Sequence, residues 1–60
     1  MNLFVIVRND GMFVARDGGE SSYTAKLQEA KVFRSAEEAQ RECCVDNEAV
    51  RSVESIIGWR

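Results

Sequence analysis

Proline and histidine are absent from this 60-residue chain, and cysteine occurs only as the adjacent pair Cys43 and Cys44. Without proline, the turns fall to four glycines and to Asn and Asp. Without histidine, the chain lacks the side chain best suited to proton transfer near neutral pH, and also the commonest metal ligand. Neighbouring thiols lack the two-to-four-residue spacing with which cysteine pairs grip zinc, so no metal site is expected. A disulfide between adjacent residues would close almost no loop and would strain the peptide between them. Reduced thiols in turn predict a cytoplasmic protein. Gly18-Gly19 is not followed by Lys-Ser or Lys-Thr at the Walker spacing, which argues against a phosphate loop. The apolar start, Leu3 to Val7, is too short to span a membrane and lacks the basic flank and small-residue cleavage site of a signal peptide. No cofactor and no catalytic residue are expected.

What is present suits one small globular domain over residues 1–60, with 45% hydrophobic and 30% charged residues. Below about 70–80 residues a single core rarely supplies more than about 3–5 kcal/mol, so something must reinforce the fold. With disulfides and metals set aside, self-association remains, and a homodimer is expected.

Leu3 to Val7 is an apolar, β-rich run that reads as a central strand buried on both faces. Asn9-Asp10-Gly11 is a hairpin signal, because glycine accepts the positive φ of a tight turn. Met12 to Ala15 should then return antiparallel, followed by a polar loop from Asp17 to Ser22. Tyr23 to Ala30 is ambiguous, with a single irregular helical turn around Lys26 to Glu29. Lys31 to Arg34 alternates as a short strand does. Ser35-Ala36-Glu37-Glu38 is a capping box, predicting a helix from Ala36 to about Asp46, ended by Asn47 in the left-handed conformation. Its inner face would carry Ala36, Ala39 and Cys43. Val50 to Ile57 reads as a last strand, with Val53, Ile57 and Trp59 on one face and Val50, Ser52, Glu54 and Ile56 on the other. The expected class is α+β: a small antiparallel or mixed sheet of three to four strands with one helix packed on it, in ββ(β)αβ order.

Gly11-Met12-Phe13-Val14, Tyr23-Thr24, Leu27, Ala30, Phe33, Ser35 and Ala39 together resemble a pattern found in very small uncharacterised proteins of bacteriophages and prophages. The best-matching piece is A-K-V-F-R-S-A-E-E-A, Ala30 to Ala39, and the resemblance spans most of residues 3 to 57. It implies a fold and a phage-type origin rather than a reaction. By the same resemblance, the role would be inhibition of a host defence system, anti-CRISPR proteins being one such class. The tail from Ile56 to Arg60 and the cysteine pair fall outside the pattern.

Charge is unevenly spread. Residues 1–34 carry five basic and four acidic side chains, whereas residues 35–60 carry Arg41, Arg51 and Arg60 against six acidic groups. Glu38, Glu42 and Asp46 recur every fourth residue and would share one helix stripe, where like charges repel by a few tenths of a kcal/mol per pair. One reading is a solvated face relieved by Arg34 and Arg41. The other is an acidic strip that meets a host protein with a basic surface. Direct nucleic-acid binding is not expected of a net acidic chain without a basic patch. Trp59, Ile57 and Cys44 are candidates for a subunit interface, since aromatics are enriched in interface hot spots and one of two adjacent helical thiols must lie at the flank. The plain alternatives are Trp59 folded onto its own sheet and the cysteines as small buried hydrophobes.

The function expected is therefore stoichiometric binding of another protein, without catalysis. A first alternative is an oligomer that sequesters a nucleotide-like signal through Arg8, Arg16 and Arg51. A second is a structural or assembly component.

Overall fold

The computed structural model describes residues 2–18 and 21–57. In chain order they form strands β1 (Phe4–Arg8), β2 (Phe13–Val14) and β3 (Tyr23–Thr24), then a 3₁₀ turn (Leu27–Glu29). Helix α1 (Ala36–Glu42), strand β4 (Glu48–Ser52) and helix α2 (Val53–Ile57) complete the order. All strand pairs are antiparallel, in the order β3-β2-β1-β4, which is the α+β architecture expected.

Strand β1 sits inside the sheet, and both Val5 and Ile6 are fully buried, so the unbroken apolar run does mark a strand covered on both faces. The turn after it forms as the Asn-Asp-Gly signal predicts. The Gly11 N–H donates to the Arg8 carbonyl at 2.9 Å, and the Arg8 N–H donates to that of Met12 at 2.6 Å. Gly11 takes φ of 93°, which a side-chain-bearing residue would rarely adopt. The Asp10 carboxylate accepts the Met12 N–H at 3.1 Å and so supports the turn from inside.

The pairing assigns side chains to faces. Phe4, Ile6 and Arg8 of β1 lie opposite Ser52, Val50 and Glu48 of β4, and β2 and β3 add Val14 opposite Tyr23 on the same side. Helix α1 rests on this face over β1 and β4. Ile6, Phe33 and Ala39 are buried there, with Phe4, Val14, Cys43 and Val50 packed against them. The opposite face carries Val5, Val7 and Phe13 with Ala49 and Arg51.

Several expectations are corrected. Lys31–Arg34 forms no strand of its own. Instead, residues 30–33 lie between two separating strands, Ala30 opposite Ala15 of the β2 continuation and Phe33 opposite Phe4 of β1. Phe4 and Phe33 exchange both backbone hydrogen bonds at 2.8 Å. Val32 and Phe33 do face opposite ways, one exposed and one buried.

Helix α1 starts where the Ser35 signal places it, with the Ser35 hydroxyl accepting the Glu38 N–H at 3.2 Å, but it ends at Glu42 rather than near Asp46. Cys43 is extended, and no residue other than glycine takes positive φ among those described, so Asn47 is not a left-handed cap. The physical cause is a competing bond: the Cys44 N–H donates to a Glu48 carboxylate oxygen at 2.9 Å instead of continuing the helix. With two turns only, Ala39 is buried and Cys43 partly so, while Ala36 is exposed.

The last strand also ends early. β4 covers Glu48–Ser52, and Val53–Ile57 is a second helix in place of strand. Ser52 causes the switch: its hydroxyl accepts the Ser55 N–H at 3.1 Å, and its carbonyl accepts the Ser55 hydroxyl at 2.8 Å. The face assignment for Val53 and Ile57 along a strand therefore fails, while Trp59 lies outside the described residues.

Candidate functional site

At the hairpin end of the helix-bearing face the apolar row gives way to a polar cluster. Arg8, the last residue of β1, stands opposite Glu48, the first of β4. β3 brings Tyr23 alongside, and the Tyr23 hydroxyl donates to Glu48 Oε2 at 2.5 Å. The Arg8 guanidinium lies over the Tyr23 ring, 4.0 Å from its centre, where the ring's negative face attracts a cation. The same guanidinium grips Asp10 with two bonds, Nε to Oδ1 at 3.0 Å and Nη2 to Oδ2 at 2.6 Å. Glu48 thus holds β3 through Tyr23 with one oxygen and the 43–47 connection through Cys44 with the other.

The electrostatics follow from these contacts. Hydrogen bonding to Arg8, then to the Met12 N–H, lowers Asp10 from 3.8 to about 2. The Tyr23 hydroxyl, helped by the Cys44 N–H, lowers Glu48. Donating to that carboxylate raises Tyr23, and Asp10 raises Arg8. Burial pushes the Cys43 thiol up, as befits a thiol packed against the core rather than a nucleophile.

Behind this cluster, on the face away from α1, lies an open groove of about 450 Å³. Val7 and Ala49 belong to its floor, with Asn9, Asn47 and Arg51 from the same face around them. Val45 and Asp46 of the 43–47 connection form its rim, and Val45 is 74% exposed. The Asn47 side-chain oxygen is buried with no hydrogen-bond partner among the described residues.

The structure separates residues that the sequence groups together. Glu38 and Glu42 lie on α1, but Asp46 lies beyond its end, so the three-residue acidic stripe does not exist as such. Glu42 is moreover paired with Lys31 at 2.9 Å, and Lys31 also reaches Asp17 at 3.4 Å. That pairing raises Lys31. Arg8 and Arg51 line the same groove, whereas Arg16 lies apart, beside Asp17 and Gly18. Cys44 and Ile57 are exposed, and Trp59 falls outside the described residues. The Tyr23–Glu48 bond links residues far apart in sequence and leaves no local signal; strand register alone reveals it.

Among the described residues no group of three or more His, Cys, Asp or Glu is placed to hold a metal. No helix among them is long and apolar enough to cross a membrane. Comparison with protein-family models, with curated proteins and with solved structures finds no match.

Proposed function

We propose that this protein is a small non-enzymatic binding module that works stoichiometrically, meeting a partner protein through the groove floored by Val7 and Ala49. The observation that carries this reading is the held rim. Val45 stands largely exposed above an open, partly apolar surface, and the Cys44–Glu48–Tyr23 bonds fix the segment that bears it. A shallow surface of mixed polarity, with Arg8, Arg51, Asp46 and Glu48 among its lining residues, suits a protein segment better than a small molecule enclosed on all sides. The resemblance to small phage proteins supports a host protein as the partner, with inhibition of a host defence system as the biological role.

A photo-crosslinking residue at Val45 tests this in cells. A discrete one-to-one adduct with a single host protein is expected, lost on Arg51→Glu and weakened by Asp46→Lys. The same probe at Val32, exposed elsewhere, should not form it. Absence of any adduct, or repeated turnover of a substrate by the pure protein, would defeat the reading.

A second reading, sequestration of a nucleotide-like signal, is favoured by one observation: Arg8 and Arg51 share the groove. It predicts that a nucleoside monophosphate raises the melting temperature of the wild type but not of Arg51→Ala. Against it stands the engagement of Arg8 with Asp10 and Tyr23.

A further inference from the structure

We infer that Asp17-Gly18 is a site of spontaneous covalent modification, at which the Asp17 side chain closes a succinimide ring with the Gly18 nitrogen and reopens to leave an isoaspartyl linkage. This goes beyond the binding role and does not depend on it.

The chain contains the dipeptide Asp-Gly twice, at Asp10-Gly11 and at Asp17-Gly18. Both lie in turns, and both glycines take positive φ, 93° at Gly11 and 85° at Gly18. Neither has an atom within 4 Å of the place a Cβ would occupy. With no side chain of its own, each glycine leaves its nitrogen open to the carboxyl group before it. Sequence, glycine conformation and steric access are therefore matched, and the two sites differ in what holds the reacting groups.

At the first site every reacting group is engaged. The Asp10 carboxylate takes two bonds from the Arg8 guanidinium, at 3.0 and 2.6 Å, and a third from the Met12 N–H at 3.1 Å. The Gly11 N–H donates to the Arg8 carbonyl at 2.9 Å. Ring closure there has to give up all four bonds. It also has to protonate a carboxylate held down to about 2, so that one oxygen can leave as water. At the second site the Asp17 side chain is 88% exposed and has one side-chain partner among the described residues, Lys31 at 3.4 Å. An exposed pair at that distance is a weak restraint. The Gly18 N–H has no protein partner among the described residues. Asp17 and Gly18 line an open cavity of about 410 Å³ with Arg16, Ser21 and Ser22, so water reaches both.

The step balances within the chain and water. The Gly18 nitrogen gives up its proton and bonds to Asp17 Cγ, the bond from Cγ to its hydroxyl breaks, and one water leaves. Water then adds at one of the two ring carbonyls. Addition at Cγ breaks its bond to nitrogen and restores aspartate. Addition at the main-chain carbonyl breaks that carbon's bond to nitrogen and leaves the main chain running through Cβ and Cγ. The nitrogen regains a proton either way, the mass is unchanged and nothing is oxidised or reduced.

The fold is built to absorb the product. The Ala15 N–H donates to the Ser22 carbonyl at 2.9 Å and the Arg16 N–H to the Glu29 carbonyl at 3.1 Å, so the base of the loop is held while one carbon is added to its main chain. The negative charge remains, as a carboxylate now borne directly on Asp17 Cα, with a shorter reach toward Lys31. Lys31 keeps its contact with Glu42 at 2.9 Å.

The test uses the full chain, incubated folded at neutral pH and body temperature beside a second sample in urea. Electron-transfer fragmentation distinguishes the two isomers at equal mass and assigns each to its residue. In the folded chain isoaspartate should build up at Asp17 at least about tenfold faster than at Asp10, whereas in urea the two rates should come within about threefold. Methyl transfer from S-adenosylmethionine by an isoaspartyl methyltransferase reads the same product independently. Asp17→Glu keeps a carboxylate beside Lys31 but would have to close a six-membered ring, and should abolish methyl acceptance by the folded chain. Equal rates at the two sites in the folded chain, product at Asp17 only in urea, or methyl acceptance that survives Asp17→Glu overturns the assignment.

Discussion

The two ends of the helix-bearing face are built from different chemistry. At one end Phe4, Ile6, Phe33, Ala39 and Val50 exclude water, while at the other Arg8, Tyr23 and Glu48 form a ring of charge-assisted contacts. The apolar end draws on the non-directional burial of carbon surface and therefore supplies stability. The polar end is directional and sets position: it ends α1, anchors β3 and fixes the segment that carries Val45. A chain with so small a core has placed its specific geometry where its hydrophobic stabilisation is least.

The contrast breaks most readily at the apolar end. Phe33→Ala should cost about 3–5 kcal/mol, enough to abolish the folded population of so short a chain, as urea titration followed by circular dichroism would show. Ser35→Ala removes the hydroxyl that caps α1 and should cost about 1 kcal/mol, lowering the urea midpoint without changing the slope. Tyr23→Phe and Glu48→Gln should move the midpoint less than either. Their signature is local: faster exchange of the Cys44 amide with little change at Ile6. A midpoint loss from Glu48→Gln as large as that from Phe33→Ala would erase the division of labour.

The smallest effect is in the pH profile, and it sharpens the same contrast. Asp10 and Glu48 are lowered in the folded state, so their contributions are present above the unfolded values near 3.8 and 4.5. They are lost as pH falls, for Asp10 through about 2. Tyr23 is raised, so its contribution is complete below pH 10 and is lost as pH rises above that. The partly buried Cys43 thiol is raised from 9.0, so its contribution starts to be lost above pH 9, and stability should be flat only between about 4.5 and 9. In Tyr23→Phe the alkaline loss near pH 10 should shrink, and in Asp10→Asn the acid loss between about 4 and 2 should shrink.

Features set by neighbours in sequence were readable from it. The central strand followed from an unbroken apolar run, the hairpin from Asn9-Asp10-Gly11, and the start of α1 from Ser35. Each rests on chemistry confined to a few adjacent residues. The end of α1 was not readable, because Glu48 draws the Cys44 N–H away from the helix. β-branched Val53, Ile56 and Ile57 suggest a strand, yet a helix forms. Here a local signal did exist, in Ser52 with Ser55 three residues on and Glu54 in the first turn. Of the candidate site, Arg8, Arg51 and Asp46 do line one groove, but Arg16, Glu38 and Glu42 do not join them. Spacing along a helix can group residues only while the helix lasts.

The segment 30–33 acts on the chain as a keystone acts on an arch. It is bonded on one side to the β2 continuation, where the Lys31 N–H meets Val14 and the Arg16 N–H meets Glu29. On the other side it is bonded to β1 through Phe4. While it stays it ties the two strands together, and once it leaves each loses its partner on that edge alone, since β1 still pairs with β4 and β2 with β3. Opening at Phe33 therefore bares an edge of both strands at once, which couples the two halves of the sheet through four residues that belong to neither.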